Sequence, residues 1–573
     1  MKKLLIYLKG YRKEAVLAPL FKLFEAILEL FVPLCVASLI DIGISNGDKS
    51  HILNMSLLMI VLGIVGLLVS ITAQWFSAKA AIGFTRKMRS DLFAHIMTLS
   101  PHDRDLIGNS TLVTRLTSDA NQVQSGINMF LRLFLRSPFV VVGAAIMAFA
   151  VDSTLAWVFV VIIPLLGLIV WAIMRRTVPM FKSVQSKLDG LTDKTRENLS
   201  GVRVLRAFDQ QQEEIASFSE KAETLKKEQL QVGNYSSLLN PLTTVLINLA
   251  IVLIIYWGRS KFEMNLIEVG ALVALVNYMN QILVELVKFA NLIVTLSRAI
   301  ASGNRIQSIF DVNSSIVDSP DAASGDIMAD VAVEFDSAYL IYNEGGNAAL
   351  SDINLKVQKG EKIGIIGATG SGKSSLVNMV CRLYDASSGK VLVFDRDVRK
   401  WNLKALRMNV AMVPQKARLF KGTVRENLLW GNENASDDDL IDALKKAEAY
   451  DFVKEKDSGL DAVVEQNGRN FSGGQRQRLT IARALVRKPS ILILDDSASA
   501  LDYATESRLR QTISSFDDMT VFVVSQRTSS LMGMDRIVVL SDGRIDGIGS
   551  HEELLKSNKL YKEIYSSQFG DRS

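Results

Sequence analysis

The residues with the clearest chemistry are GATGSGKS, residues 367–374. They follow the apolar run KIGIIG and precede SLVNMVCRLY, which reads as a helix. This order of strand, loop and helix is the setting of the phosphate-binding pattern G-x-x-x-x-G-K-[ST]. Its glycines let backbone N–H groups converge on phosphate oxygens, Lys373 supplies a cation, and the Ser374 hydroxyl can ligate Mg²⁺. The segment therefore predicts a site for a nucleoside triphosphate.

Three further segments carry polar groups that could bind a nucleotide or its metal. ILILD, residues 491–495, predicts a buried parallel strand that delivers Asp495 to a Mg²⁺ ion. AMVPQ places Gln415 after a second apolar run. FSGGQ, residues 471–475, opens the helical segment RQRLTIARALVRK, so its N–H groups and dipole would face an anion. On its own, this last segment could equally be an ordinary helix cap.

Taken in order, these motifs resemble the nucleotide-binding domain of ABC transporters over roughly residues 331–573. The resemblance implies that Tyr342 stacks on adenine and that Gln415 senses the metal and the membrane domain. It implies that the signature segment contacts ATP held by an opposite subunit. The implied ATP-binding residues are Tyr342, Gly367, Thr369, Gly370, Ser371, Gly372, Lys373, Ser374, Ser375, Asp495, Ser472, Gly473, Gly474 and Gln475, and the implied Mg²⁺ ligands are Ser374, Gln415 and Asp495.

Two positions depart from the pattern of this family. The family has a catalytic glutamate after the metal-binding aspartate, and here that position is Asp496. Its carboxylate is one methylene shorter, about 1.5 Å, and misplacement of that order can lower the rate about a hundredfold. The family's switch histidine is replaced by Gln526, whose amide can bind phosphate but cannot carry a proton or a positive charge.

Both changes fall in one composite site, which also includes Gln415 as its third candidate catalytic residue. We therefore expect this site to hold ATP without turning it over efficiently. The FSGGQ segment is unaltered. It is expected to complete the active site of a second ABC half-transporter subunit.

The first half of the chain is apolar enough to cross a membrane several times. A hydrocarbon core about 30 Å thick needs roughly 20 apolar residues per helix. Six segments qualify, near residues 16–40, 55–78, 129–150, 155–174, 238–258 and 265–287. The start, MKKLLIYLKGYRK, is interrupted by charges and is typical of an amphipathic segment on the membrane surface rather than a cleaved signal peptide.

The distribution of basic residues predicts the orientation in the plasma membrane. Lys and Arg cluster at the N-terminus, in RKMRSD and in RRTVPMFK, whereas DIGISNGD between the first two spans is poor in them. By the positive-inside rule, the N-terminus and the ATP-binding domain are expected in the cytoplasm. The long connections near 100–123 and 197–212 resemble the coupling loops of ABC exporters, on helices extended into the cytoplasm.

This organisation predicts an all-α transmembrane domain of six helices over residues 1–310 and an α/β P-loop NTPase domain over 331–573. Residues 311–330 are polar and turn-rich, which is typical of a linker. With 49% hydrophobic residues and a mean hydropathy of +0.21 over 573 residues, the chain is too apolar for an ordinary soluble multidomain protein. The net charge of +5 is modest and gives no case for nucleic-acid binding. Cys35 and Cys381 fall in different domains, so no disulfide or cysteine metal site is expected.

Polar residues recur at helical spacing in the first and last spans. The candidate substrate contacts are Glu25, Glu29, Asn277, Gln281 and Glu285, and their carboxylates would favour amphipathic cations. Ionisable groups in lipid normally face a bundle interior or a wet cavity. An ion-pair network, such as Glu285 with Lys22 or Lys288, explains the same residues equally well.

The resemblance as a whole implies one subunit of a heterodimeric ABC exporter for hydrophobic or amphipathic small molecules, driven by ATP and Mg²⁺. The altered Asp496 and Gln526 beside an unaltered FSGGQ favour the heterodimer. Two alternatives remain at this point. One is a homodimeric exporter of lipids or peptides, and the other is an ATP-gated membrane regulator that transports nothing.

Overall fold

The computed structural model describes residues 2–319, 322, 329–342 and 345–569. The predicted linker, residues 311–330, lies partly outside this range. The chain forms two compact units. The helical unit comprises Met1–Met97 and Asn109–Val312, and the mixed unit comprises Thr98–Gly108 and Asn313–Ser573.

The helical unit contains six helical segments that are long and apolar enough to cross a membrane, as predicted: Lys3–Ile44, Lys49–Thr98, Asn109–Val151, Trp157–Ser200, Gln211–Glu263 and Val269–Phe310. The helices up to residue 310 are α1 Arg12–Ser38, α2 Lys49–Thr98, α3 Pro101–Ile107, α4 Asn109–Thr114, α5 Ala120–Leu133, α6 Arg136–Val151, α7 Trp157–Ser200, α8 Val202–Ala207, α9 Gln211–Ser237, α10 Leu239–Glu263 and α11 Val269–Phe310. A 3-10 helix, Lys2–Tyr11, precedes α1.

The length and surface of these helices suit a bilayer. Helix α2 has 50 residues, which corresponds to about 75 Å and exceeds the hydrocarbon core of about 30 Å. Its outward side exposes a row of large apolar side chains that includes Leu57, Ile64 and Ile71. Such a continuous apolar surface is typical of a membrane-facing helix. The fold class predicted for the first half of the chain is therefore confirmed.

Close helix contacts depend on small residues. A Cβ atom added at Gly126 on α5 would overlap the Cβ of Ala299 on α11. Arg305 on α11 also donates to both carboxylate oxygens of Asp119, the residue that directly precedes α5. Small residues at such crossings let helix backbones approach closely in lipid, where apolar burial gives little driving force between helices.

The mixed unit contains twelve strands and nine further α-helices in the described residues. The strands are β1 Val331–Leu340, β2 Leu350–Gln358, β3 Lys362–Gly367, β4 Ser388–Val393, β5 Arg396–Asp397, β6 Val410–Val413, β7 Gly422–Thr423, β8 Val463–Val464, β9 Ile491–Asp495, β10 Thr520–Val524, β11 Arg536–Ser541 and β12 Arg544–Gly549. The helices are α12 Lys373–Val380, α13 Leu403–Asn409, α14 Val424–Leu429, α15 Asp437–Lys446, α16 Tyr450–Lys454, α17 Gly473–Val486, α18 Tyr503–Ser514, α19 His551–Ser557 and α20 Lys559–Phe569.

The main sheet of this unit has six strands in the order β12-β11-β3-β10-β9-β6, and five of them, β11 to β6, run parallel. A four-stranded antiparallel sheet, β2-β1-β4-β5, packs on one face through a shared apolar core. Helix α17 packs on the other face. Both faces are thus buried, which explains why β3, β9 and β10 are nearly continuous apolar runs. The predicted α/β P-loop fold is confirmed.

Candidate functional site

The site begins at the carboxyl ends of β3, β10 and β9, which are adjacent in the sheet. Ligands in open parallel sheets bind at this edge. The loop between β3 and α12 turns tightly, since Gly370 and Gly372 have φ angles of +86° and +98°. A Cβ atom at Gly372 would lie 2.8 Å from the Ala349 carbonyl oxygen. Glycine is therefore required there by both backbone conformation and space.

Lys373 is the first residue of α12, and its side chain folds back onto the loop. Its Nζ donates to the carbonyl oxygens of Gly367 at 2.8 Å and Ala368 at 2.7 Å. Burial lowers the pKa of Lys373, and the carboxylates of Asp496 and Asp495 oppose that shift. Two neutral carbonyl groups thus hold the Lys373 ammonium at the loop. A phosphate bound there would compensate for the hydration that the buried ammonium has lost.

Asp495 ends β9 next to the start of α12. It accepts a hydrogen bond from the Ser374 hydroxyl at 3.0 Å. Burial raises the pKa of Asp495, the neighbouring Asp496 raises it further, and the Ser374 hydrogen bond acts in the opposite direction. A buried carboxylate beside a hydroxyl is a hard oxygen donor set of the kind that Mg²⁺ prefers.

Asp496 follows β9 with a φ angle of +48°, a left-handed conformation that aspartate tolerates better than most residues. Its carboxylate accepts a hydrogen bond from Gln415 Nε2 at 3.1 Å. Gln526 lies just beyond β10, and its main-chain carbonyl accepts a hydrogen bond from Gln568 at 2.7 Å. Tyr342 donates its hydroxyl hydrogen to Ser375 Oγ at 2.8 Å.

These segments enclose one cavity of about 280 Å³. Its lining residues are Tyr342, Ala349, Thr369, Gly370, Gly372, Lys373, Ser374, Ser375, Gln415, Asp495, Asp496, Val524, Ser525 and Gln526. Gly367 and Ser371, both predicted as ATP-binding residues, do not line it. Ser371 is buried, and its main-chain oxygen accepts from Gly543 at 3.3 Å. Ala349, Val524 and Ser525 were not predicted, although Ser525 directly precedes Gln526 in the sequence.

The predicted signature residues lie outside this cavity, at the start of α17. Ser472 Oγ accepts from Gln475 N at 3.2 Å, and Gln475 Oε1 accepts from Ser472 N at 2.9 Å. This reciprocal capping box leaves Ser472 and Gly473 exposed. Gly474 approaches the loop after β9, because a Cβ atom there would lie 3.1 Å from the Ala500 carbonyl oxygen. The helix N-terminus therefore presents its free N–H groups outward.

Four of the five polar residues predicted in the helical unit line a second cavity, of about 320 Å³. It is lined by Glu29, Val32, Pro33, Val36, Asn277, Asn280, Gln281, Val284 and Glu285. Glu25, the fifth residue of that prediction, is not in this lining. It pairs instead with Lys22 at 2.5 Å. The Lys22 ammonium also donates to Ser70 on α2 at 3.0 Å.

Arg136, at the start of α6, connects the carboxylates of this second cavity. It pairs with Glu29 at 2.5 Å and with Glu285. Glu285 also accepts from Ser137 at 2.8 Å and from Lys288 at 2.9 Å. The structure thus contains the ion-pair network that the sequence left as an alternative, with Lys288 as one named partner. The second cation that pairs with Glu285 is Arg136, whereas Lys22 pairs with Glu25. The sequence signal for this arginine was the pair Arg132 and Arg136, which interrupts an otherwise apolar stretch.

Comparison with known proteins agrees with both units. The family model for the ABC transporter transmembrane region matches residues 16–286, and the model for the ABC transporter matches residues 350–499. A Bacillus subtilis protein, the uncharacterized ABC transporter ATP-binding protein YfiB, is 35% identical over 572 residues and covers 100% of this chain and 99% of its own length. The ATP-dependent lipid A-core flippase of Pectobacterium atrosepticum is 31% identical over 540 residues, 93% of this chain and 91% of the flippase.

A solved structure of a bacterial Atm1-family ABC exporter with ATP bound superimposes with a TM-score of 0.82. It covers 98% of this chain and 99% of that one at 22% sequence identity, which supports the fold. Membership of the ABC transporter family as a half-transporter implies a multi-pass membrane protein that binds ATP and dimerises with another ABC subunit. The chain belongs to the ABC transporter family, as a half-transporter in which an exporter-type membrane domain is fused to an ATP-binding domain.

Proposed function

We propose that this chain is one subunit of a heterodimeric exporter of amphipathic or hydrophobic compounds, drugs among them. Its own cavity binds ATP and hydrolyses it slowly, and its signature segment completes the partner's hydrolytic site. The N-terminus and the mixed unit are cytoplasmic in this proposal, as the distribution of Lys and Arg favours.

The observation that carries the proposal is the pairing of Asp496 with Gln415 at 3.1 Å. The shorter side chain, already held by a neutral amide, reaches less far towards an attacking water than a glutamate would. Gln526 lines the same cavity and cannot donate the positive charge or the proton of a histidine. General bases act only within hydrogen-bond reach of the proton they accept. The two changes together therefore favour retention of ATP over cleavage.

The same cavity fits MgATP. Its glycine-rich loop and Lys373 suit the phosphates, and Tyr342 provides an aromatic surface for the adenine. Ser374, Asp495 and the amide oxygen of Gln415 are the oxygen ligands that would hold Mg²⁺, which neutralises phosphate charge when bound. In this proposal Ser472, Gly473, Gly474 and Gln475 act on the partner's ATP.

The substrate proposal rests on the second cavity. Glu285 has a side chain only 3% exposed and is occupied by three donors, whereas Glu29 remains 43% exposed. The amide oxygen Gln281 Oε1 is buried and lacks a hydrogen-bond partner among the described residues. A ligand with a cationic N–H donor and an apolar body would satisfy both groups. Attraction of amphipathic cations is thus assigned mainly to Glu29, with Asn277 and Gln281 as neutral contacts.

The decisive experiment is ATP turnover by the chain purified alone in lipid, with ATP binding measured in the same preparation. We expect clear binding and negligible turnover. Brisk turnover that is lost in Lys373→Ala would overturn the heterodimer proposal, because it would show that Asp496 suffices.

A second experiment uses the complex that this chain forms with its native partner. Ser472→Ala should lower its ATPase activity at least tenfold, since removing one preorganised donor from an oxyanion hole costs about 10²–10³-fold in rate. Ser436→Ala is the matched control, because Ser436 caps α15 through a capping box with the same 3.2 Å contact. Asp496→Asn should change the activity less than about twofold, since the slow site adds little to a rate set elsewhere. The reverse pattern would contradict the assignment of sites.

The flippase among the relatives supports a second candidate, a homodimeric lipid exporter. Proteoliposomes with this chain alone would separate the candidates. ATP-dependent movement of a fluorescent lipid without a partner would favour the homodimer. Failure to move any solute, even with the partner present, would favour an ATP-gated regulator.

A further inference from the structure

The C-terminal helix α20 makes a specific contact with the loop that carries Gln526. The Gln568 carboxamide donates from Nε2 to the Gln526 carbonyl oxygen at 2.7 Å. Its Oε1 accepts from Thr528 N at 2.9 Å and from Thr528 Oγ1 at 2.8 Å. Only one orientation of the amide satisfies all three contacts. The two Thr528 donors lie beside its oxygen, and the Gln526 carbonyl acceptor lies beside its nitrogen.

The same loop is also attached to α18. Glu506 accepts from Arg527 at 3.2 Å and from the Ser530 hydroxyl. Arg510 donates to the Ser529 carbonyl oxygen. These contacts hold Arg527 and the residues that follow Thr528. Gln568 contacts Gln526 itself, through its carbonyl oxygen.

We propose that Gln568 is a positioning residue for the ATP site. By holding the carbonyl of Gln526 and the turn at Thr528, it sets the direction of the Gln526 side chain towards bound ATP. The inference rests on the proposed function, in which Gln526 lines the cavity that binds ATP and its amide can bind phosphate. Residue 568 lies 42 positions beyond Gln526 and belongs to none of the nucleotide-binding motifs.

The substitution at position 526 makes such support important. A charged histidine is drawn to phosphate over a range of orientations, whereas a neutral amide binds only when its N–H group points correctly. Because Gln568 fixes the backbone at Gln526 before ATP binds, less conformational entropy is lost on binding. The end of the chain would in this way tune how tightly the slow site retains ATP.

The test is a double-mutant cycle on the full-length chain in lipid nanodiscs. Affinity is measured with a trinitrophenyl ATP analogue in Mg²⁺ and competition by ATP. Gln568→Ala should weaken binding about fivefold, the worth of about one hydrogen bond. Gln568→Glu should weaken it as much or more, since a carboxylate still accepts from Thr528 but cannot donate to Gln526. Lys562→Ala, at an exposed position of the same helix, should leave affinity unchanged.

The cycle is completed in a Gln526→Ala background. If Gln568 acts through the Gln526 side chain, Gln568→Ala causes no further loss there. Unchanged affinity in Gln568→Ala, or losses that add in the double variant, would overturn the inference in favour of a general structural role. Should Gln568→Ala not fold, Gln568→Glu replaces it. Its effect on ATP affinity is then compared between the wild-type chain and the Gln526→Ala variant. Wild-type turnover, measured in parallel, tests the proposed function separately.

Discussion

The cavity of the mixed unit and the cavity of the helical unit contain the same kinds of side chains but arrange their charges differently. In the first, Lys373 is held by carbonyl groups, Asp495 by a hydroxyl and Asp496 by an amide. In the second, Arg136 is shared by two carboxylates. Charges with neutral partners stay available to a charged ligand, whereas charges that pair with each other mainly organise helices. The predictions below test this distinction.

The largest expected effect is the loss of Arg136. Arg136→Met leaves Glu285 buried without its main cation, and breaking a buried pair on one side costs about 3–5 kcal/mol. We expect a marked fall in the thermal unfolding temperature of the detergent-purified chain. Arg259→Met is the matched control, because the Arg259–Glu263 pair has side chains 78% and 60% exposed and such pairs contribute about 0–1 kcal/mol. Equal effects of the two changes would contradict the distinction.

Lys373→Ala tests the other cavity and should act on binding rather than on folding. Removal of a cation that bonds phosphate should weaken ATP binding roughly 10–150-fold, as expected for hydrogen bonds to charged groups of about 1.5–3 kcal/mol. Fluorescence titration with the ATP analogue measures the affinity, and unfolding temperature measures the fold. Lys359→Ala, an exposed lysine of the same unit, serves as control. A large loss of stability with retained binding would show that Lys373 has a structural role.

Asp495→Asn should stabilise the nucleotide-free protein at neutral pH. Burial raises the pKa of Asp495, so the folded state holds this proton more tightly than the unfolded chain. Proton binding at Asp495 thus contributes to the free energy of unfolding. This contribution is fully present below the ordinary pKa of 3.8 and is lost as the pH rises through the raised pKa. As the pH rises through the raised pKa, the buried charge therefore costs the folded state an increasing amount of free energy.

An asparagine at position 495 is neutral and avoids the free-energy cost of burying a charge. The unfolding temperature of the variant should exceed that of the wild type at pH 7, by roughly 2–4 °C for each kcal/mol relieved. The difference should shrink towards pH 4, and Mg²⁺-dependent ATP affinity should fall. The exposed Asp517→Asn provides the control. A lower unfolding temperature at pH 7 would mean that the carboxylate stabilises the fold.

The smallest expected effect is that of Glu29→Gln. Because this carboxylate is already shared with Arg136 and is partly exposed, its attraction for a cation should be worth at most about 1 kcal/mol, or roughly fivefold. The concentration of a cationic amphiphile that half-maximally stimulates ATPase activity of the complex should rise accordingly. A neutral amphiphile of the same size should show no change, and Glu263→Gln should affect neither. Equal changes for both amphiphiles would remove Glu29 from charge selection.

Much of the fold could be predicted because its signals are local. The apolar segment near 55–78 became part of α2, Lys49–Thr98, and ILILD became β9. The fourth span, expected near 155–174, is the apolar part of α7, which continues to Ser200 as the predicted helical extension requires. Amphipathic helix beyond the bilayer adds polar residues, which a search for apolar runs does not count.

The sequence by itself determined the chemistry of the nucleotide site, because eight neighbouring residues specify the loop between β3 and α12. The glycines of this loop allow the backbone conformation of its tight turn. Only the tertiary structure decided which distant groups meet. Arg136 contacts Glu29 and Glu285 across 107 and 149 residues, and Gln568 contacts Gln526 across 42. Such pairs depend on which helices and loops become neighbours when the whole chain packs, and no local pattern of residue types carries that information.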